Sequence, residues 1–142
     1  MATRLHMDVA IAACDAIAAL IDVGAGVSTV VVYDGVKPTK VEDAVTTQNV
    51  LTTFDLPDPV FGPAADDGAG GARATADVID PVNASGTGLA TWFRVYDGDG
   101  KGVLQGDAGT AQSAAEMRLN DPNLVSGIQV QIFSWTLTVP TV

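Results

Sequence analysis

The sequence predicts one mainly β domain, an antiparallel β-sandwich or barrel carrying a single N-terminal α-helix. Three observations lead there. Of 17 acidic residues only Glu42 and Glu116 are glutamates, and aspartate favours turns and caps where glutamate favours helix interiors. Runs of β-branched and aromatic residues alternate with Gly, Pro and Asp clusters along residues 28–142, the punctuation of short strands. Only residues of about 3–23 repeat their apolar positions with a helical period. The length of 142 residues suits one domain, 1–142, and a hydrophobic fraction of 47% is enough for a packed core. With aromatics at 6%, that core must be built from Val, Ile, Leu and Ala.

In the helix, Leu5, Val9, Ala13, Ala16 and Leu20 share one stripe, which Ile17 and Ile21 widen. Met7, Ile11, Cys14 and Ala18 spread apolar character around the cylinder, and Asp8, Asp15 and Asp22, seven residues apart, form a narrow polar line. A helix so apolar is expected to be buried on more than one side, between a sheet and a neighbouring subunit. Gly24 is the expected C′ residue.

Strands are predicted at Ser28–Tyr33, at Val50–Leu56, which Pro57 stops, and at Arg73–Ile79. Residues 64–71, A-A-D-D-G-A-G-G, are predicted to be a loop and the most flexible segment. Leu89–Tyr96 is followed by the turn Asp97–Gly102 and a return strand at Val103–Gln105, a hairpin. In the last strand, Ile128, Val130 and Ile132 alternate with glutamines, and then Phe133, Trp135, Leu137 and Val139 alternate with Ser and Thr. The apolar phase slips by one residue between Ile132 and Phe133, so either a bulge or a change of packing surface is expected there.

Several function classes are disfavoured. A net charge of −10 with seven dispersed basic residues argues against a nucleic-acid partner. Asp8, Asp15 and Asp22 interrupt the N-terminal apolar run, so neither an export signal nor a membrane anchor is expected. Cys14 and His6 are the single cysteine and histidine, too few for a zinc site, and Cys14 reads as a small core residue. No motif frames a nucleophile, and the chain is expected not to be an enzyme and to need no cofactor. Asp97 and Asp99 open like a calcium loop, but Lys101 and Ala108 stand where further ligands belong, so the pair is only a weak metal candidate and a hairpin turn is the ordinary reading. Gly24-Ala25-Gly26 follows a helix rather than a strand, the wrong order for a phosphate loop. Trp92 and Phe93, being adjacent, must face opposite sides of their strand. One of them is therefore covered by the helix or another subunit, or exposed to a ligand. The candidate interface residues are Leu5, Val9, Ile17, Trp92 and Trp135.

Two blocks carry a resemblance: Ala90-Thr91-Trp92-Phe93-Arg94-Val95-Tyr96-Asp97-Gly98-Asp99-Gly100, and Ser134-Trp135-Thr136-Leu137-Thr138-Val139-Pro140, the latter preceded by Leu119-Asn120 and Ser126-Gly127. With the N-terminal Ala-rich helix, the Val-rich strand and Asp58-Pro59-Val60-Phe61-Gly62, the chain resembles small structural proteins of tailed bacteriophage virions. The resemblance implies a particle component and transfers no catalytic residues. First among its roles is a capsid decoration (cement) protein, a homo-oligomer, expected to be a trimer, that binds the major capsid protein on the capsid surface after assembly in the host cytoplasm. A tail, connector or fibre component is the alternative. A carbohydrate-binding module using Trp92 or Trp135 is the second.

Overall fold

The computed structural model describes residues 3–142. Its helix, α1, spans Met7–Ile21, shorter at its start than the expected 3–23. The Leu5 N–H donates to Thr141 O at 2.7 Å, which holds the N-terminal segment out against the C-terminus. His6 then caps α1, its Nδ1 accepting the Asp8 N–H at 3.1 Å. Asp22 is the C-cap, so Gly24, expected at C′, lies at C″, where it takes a positive φ of 109°.

Twelve strands follow: β1 (Thr29–Tyr33), β2 (Val50–Asp55), β3 (Ala65–Asp66), β4 (Gly71–Thr75), β5 (Val82–Asn83), β6 (Gly88–Leu89), β7 (Trp92–Tyr96), β8 (Gly102–Gly109), β9 (Met117–Leu119), β10 (Asn123–Leu124), β11 (Gln129–Val130) and β12 (Ile132–Pro140). Eight of them form one sheet in the order β2-β1-β7-β8-β9-β12-β4-β3. Its ladders are antiparallel except for β8–β9, so the sheet is mixed. It ends at β2 and β3 and is therefore not a closed barrel. The remaining strands pair as β5–β11 and β6–β10.

The phase slip in the last strand has a clear structural counterpart. β11 pairs with β5 in a small ladder, the chain crosses Gln131, and β12 then enters the large sheet. A register irregularity follows between Ile132 and Ser134. Other expected elements are corrected. Within the expected loop 64–71 the turn is confined to 67–70 between the paired strands β3 and β4, because Asp67 Oδ1 accepts the N–H groups of Ala69 at 2.7 Å and Gly71 at 3.0 Å. The strand expected to reach Ile79 stops at Thr75, where the Asp77 N–H turns to Val60 O at 2.8 Å. Leu89–Tyr96 divides into β6 and β7, since the Ala90 N–H turns to Pro122 O at 2.8 Å.

The large sheet curls. β8 and β9 lie between β7 and β12, and three strand steps in a flat sheet span about 14 Å. Yet the Phe93 and Trp135 rings meet edge to face at 5.5 Å between centroids, and Phe61 closes on Trp135 at 4.8 Å. α1 packs inside this curl on β4 and β12, setting Ala10, Cys14, Ala18 and Ile21 against strands that present Ala72 and Ala74. Small residues on both partners allow close approach. Cys14 is fully buried, burial pushes its thiol above the ordinary range, and its Sγ–H donates to Leu137 O at 3.5 Å.

Two glycine-rich turns that the sequence presents separately lie against each other. The Gly98 N–H donates to Val23 O at 2.7 Å, the Gly26 N–H to Gly98 O at 3.0 Å, and the Ala25 N–H to Asp99 Oδ1 at 3.3 Å. A Cβ on Gly98 would overlap the Gly26 carbonyl oxygen, whereas one on Gly100 would meet nothing within 4 Å. Gly98→Ala is therefore expected to lower stability by about 3 kcal/mol, and Gly100→Asn, at a position of positive φ that Asn tolerates, by less than about 1 kcal/mol. Denaturant unfolding of the two variants checks this; equal losses would mean that the turn contact is dispensable.

Candidate interaction surface

Burial divides α1 into three flanks. The inner flank is the core face just described. On a second, Asp8, Asp15 and Asp22 fall in one line. The third carries Val9, Ala13, Ala16 and Leu20, spaced 4, 3 and 4, and Val23 continues the line just beyond the helix. Val9, Ala13, Ala16 and Leu20 belong to the stripe read from the sequence, and the line points outward: Val9 is 51% exposed, Leu20 57% and Val23 49%. Alternating steps of three and four residues form the seam by which helices pair side by side, and the central Ala13 and Ala16 leave room for a partner. Toward the seam's C-terminal end, Leu20 and Val23 border a groove shared with Val41, Glu42, Lys101 and Val103. Within the single chain the helix is buried on one flank only, that of Ala10, Cys14, Ala18 and Ile21, and not on the two sides expected from its apolar circumference.

The other candidate interface residues are placed differently. Leu5 and Ile17 are half-buried at the helix margin. Trp92 and Trp135, expected at an interface, are 1% and 2% exposed and closed inside the chain. Trp135 belongs to the core beneath α1, between Phe61 and Phe93. Trp92 lies on the opposite face of β7, and its cover is neither the helix nor a second subunit but the chain's own residues 34–49, the connection from β1 to β2.

This strap is bound by a small set of hydrogen bonds. The Trp92 indole stacks on Tyr33 at 4.3 Å and 13°, and its Nε1–H donates to Asp34 O at 2.9 Å. Arg94, 4% exposed, donates from Nη1 to Asp43 O at 2.8 Å and from Nη2 to Lys40 O at 3.3 Å. Gln105 Oε1 accepts from Arg94 Nε at 3.1 Å and Nη2 at 2.8 Å, and the Arg94 guanidinium lies 5.4 Å from the centre of the Trp92 ring. Lys37 Nζ meets Asp107 Oδ1 at 2.9 Å. Burial pushes the Tyr33 hydroxyl far above its ordinary range, with the hydrogen-bonded Tyr96 hydroxyl 2.9 Å away as the next cause. At the strap's base the Asn49 backbone and side-chain N–H groups bind the Asp34 carboxylate and hold it below the usual range. The sequence reading missed the strap because it has no hydrophobic period; an arginine inside a strand of apolar neighbours was its available signal.

Asp97 and Asp99 sit in the turn against Gly24–Gly26. Asp97 Oδ1 accepts the N–H groups of Asp99 at 2.9 Å and Lys101 at 3.0 Å, so it is used in closing the hairpin. Among the described residues no group of three or more His, Cys, Asp or Glu is arranged to hold a metal ion. No described helix is long and apolar enough to cross a membrane.

Arg94→Lys keeps the charge but loses the planar fork that spans Gln105 and the strap carbonyls. It is expected to cost about 2 kcal/mol and to speed tryptic cleavage after Lys40 about tenfold. Cleavage at the wild-type rate would mean that the strap is held by other contacts.

A comparison with protein families, curated proteins and solved structures finds no match to this chain.

Proposed function

We propose that this chain is a structural subunit of a bacteriophage particle, a capsid decoration (cement) protein that joins copies of itself and bridges capsomers of the major capsid protein. The observation that carries the reading is the outward seam of α1, whose Val9, Leu20 and Val23 are about half exposed or more. Covering the exposed half of each against another chain would contribute about 1 kcal/mol per side chain. The resemblance adds the particle context. Its first block falls on β7 and the turn docked on Gly24–Gly26, its second on β12.

The proposed mechanism is mechanical. Seams from neighbouring copies pack around a closed symmetry axis, as a trimer, and the rest of each subunit faces the shell and the solvent. Many modest contacts repeated over a lattice resist internal pressure through multivalency. A net charge of −10 suits a solvated outer surface. The reading assigns the chain no catalytic step and no cofactor. The sugar-binding alternative relies on Trp92 or Trp135 as an open ring, and both are covered.

Quantitative mass spectrometry of purified particles tests the assignment. A copy number equal to, or a simple fraction of, that of the major capsid protein is the expected result. A handful of copies would move the protein to the tail, connector or fibres, and absence from particles would overturn the reading.

A further inference from the structure

Beside the acidic flank of α1 lies a groove of about 540 Å³. Its floor is apolar: Ala18 and Ala19 from the helix, and Pro59, Phe61 and Pro63 from the segment between β2 and β3. Its rim carries three carboxylates, Asp15 and Asp22 from α1 and Asp77 from the end of β4, and no basic residue lines it. Asp15 Oδ1 accepts the Ala64 N–H at 2.8 Å, so the rim is fixed to the groove wall.

Asp22 supplies a separate observation. Its Oδ1 is shut off from solvent and has no hydrogen-bond partner among the described residues. Burial pushes the Asp22 carboxyl above the usual range and the nearby Asp58 adds to the rise, against the stabilising Val60 N–H. Asp15, Asp22 and Asp77 thus face one apolar groove with no basic side chain among its lining residues, and a cation brought to Asp22 would favour its ionised form.

We propose that this groove receives a basic, apolar segment of a different protein chain, with a lysine or arginine set among the carboxylates and a neighbouring aliphatic side chain on the Ala19–Phe61 floor. Charge selects the occupant. A second copy of this chain brings a net charge of −10, and three of its seven basic side chains are already committed, Arg94 inside the strap, Lys37 to Asp107 and Arg73 to Asp67. The outward seam of α1 lies on another flank and bears no charge, so like copies can meet there while a basic partner occupies the groove. Only the partner's identity as a capsid protein rests on the virion reading; the chemistry of the groove does not.

The test is an NMR titration of the isotope-labelled full chain with an acetylated hexapeptide of alternating lysine and leucine, and with its glutamate–leucine counterpart. The lysine peptide is expected to shift the amides of Ala18, Ala19, Phe61 and Asp77 in a saturable way. Its affinity should fall about tenfold in the Asp15→Asn/Asp77→Asn double variant and be lost in Ala19→Trp, which fills the floor. The glutamate peptide should leave the spectrum unchanged. Shifts scattered over the acidic turns at Asp66, Asp99 and Asp121, or equal affinity in the double variant, would overturn the proposal. Particle copy number is a separate readout, so the two readings fail independently.

Discussion

A guanidinium buried without a carboxylate partner governs how this fold is layered. Taking Arg94 out of water is costly, and the structure offsets that cost with the carbonyl oxygens of Lys40, Asp43 and Gln105 and with the face of Trp92. Two of those oxygens belong to the strap 34–49, so the side chain that needs solvation is also the one that fastens the strap. With the strap in place, neighbouring residues of one strand can both be interior. Phe93 faces the core under α1, and Trp92 faces a second, smaller apolar layer with Tyr33. β7 is consequently buried on both faces, which a single-layer antiparallel sheet does not permit.

The same economy shapes α1. A helix lying in the curl of a sheet needs one apolar flank, and Ala10, Cys14, Ala18 and Ile21 provide it. The remaining circumference is neither uniformly polar nor uniformly apolar. One line carries Asp8, Asp15 and Asp22 and borders an apolar groove with no basic lining residue; another carries the 4-3-4 seam. Two surfaces of opposite character thus lie on one helix. That is the geometric requirement for a protein that joins copies of itself and also holds something else. The Gly98 contact with Val23 and Gly26 anchors the helix's C-terminal end to the β7–β8 hairpin, so both surfaces are presented from a fixed position.

Much of this was legible in the residues. The Asp excess, the β-branched runs and the single helical period point to a mainly β fold with one helix. The one-residue slip at Ile132–Phe133 marks where the chain changes partner strands. What escaped was written in side-chain hydrogen bonds rather than in period. The hairpin at 64–71 depends on the Asp67 carboxylate serving two amides, and the strap depends on Arg94 reaching carbonyls more than 50 residues away in sequence. The parallel pairing of β8 with β9 involves two residue pairs, Ala108–Met117 and Gly109–Arg118, too few for an alternating pattern to register. Of the candidate interface residues, Val9 is exposed, while Trp92 and Trp135 are closed inside the chain, because aromatic content alone does not reveal which loop covers a ring. The helical period did not say which flank the sheet takes; the sheet takes the one with Ala10, Cys14 and Ala18, whose small side chains let α1 approach β4.

The central claim is that the outward seam of α1 is a self-association surface. Sedimentation velocity on the purified chain, beside a Val9→Glu/Leu20→Glu variant, tests it most directly. The account predicts a discrete oligomer for the native chain and a folded monomer for the variant, with an unchanged far-ultraviolet circular dichroism spectrum. A native chain that sediments as a monomer across the whole soluble concentration range, or a variant that assembles as the native chain does, would contradict it.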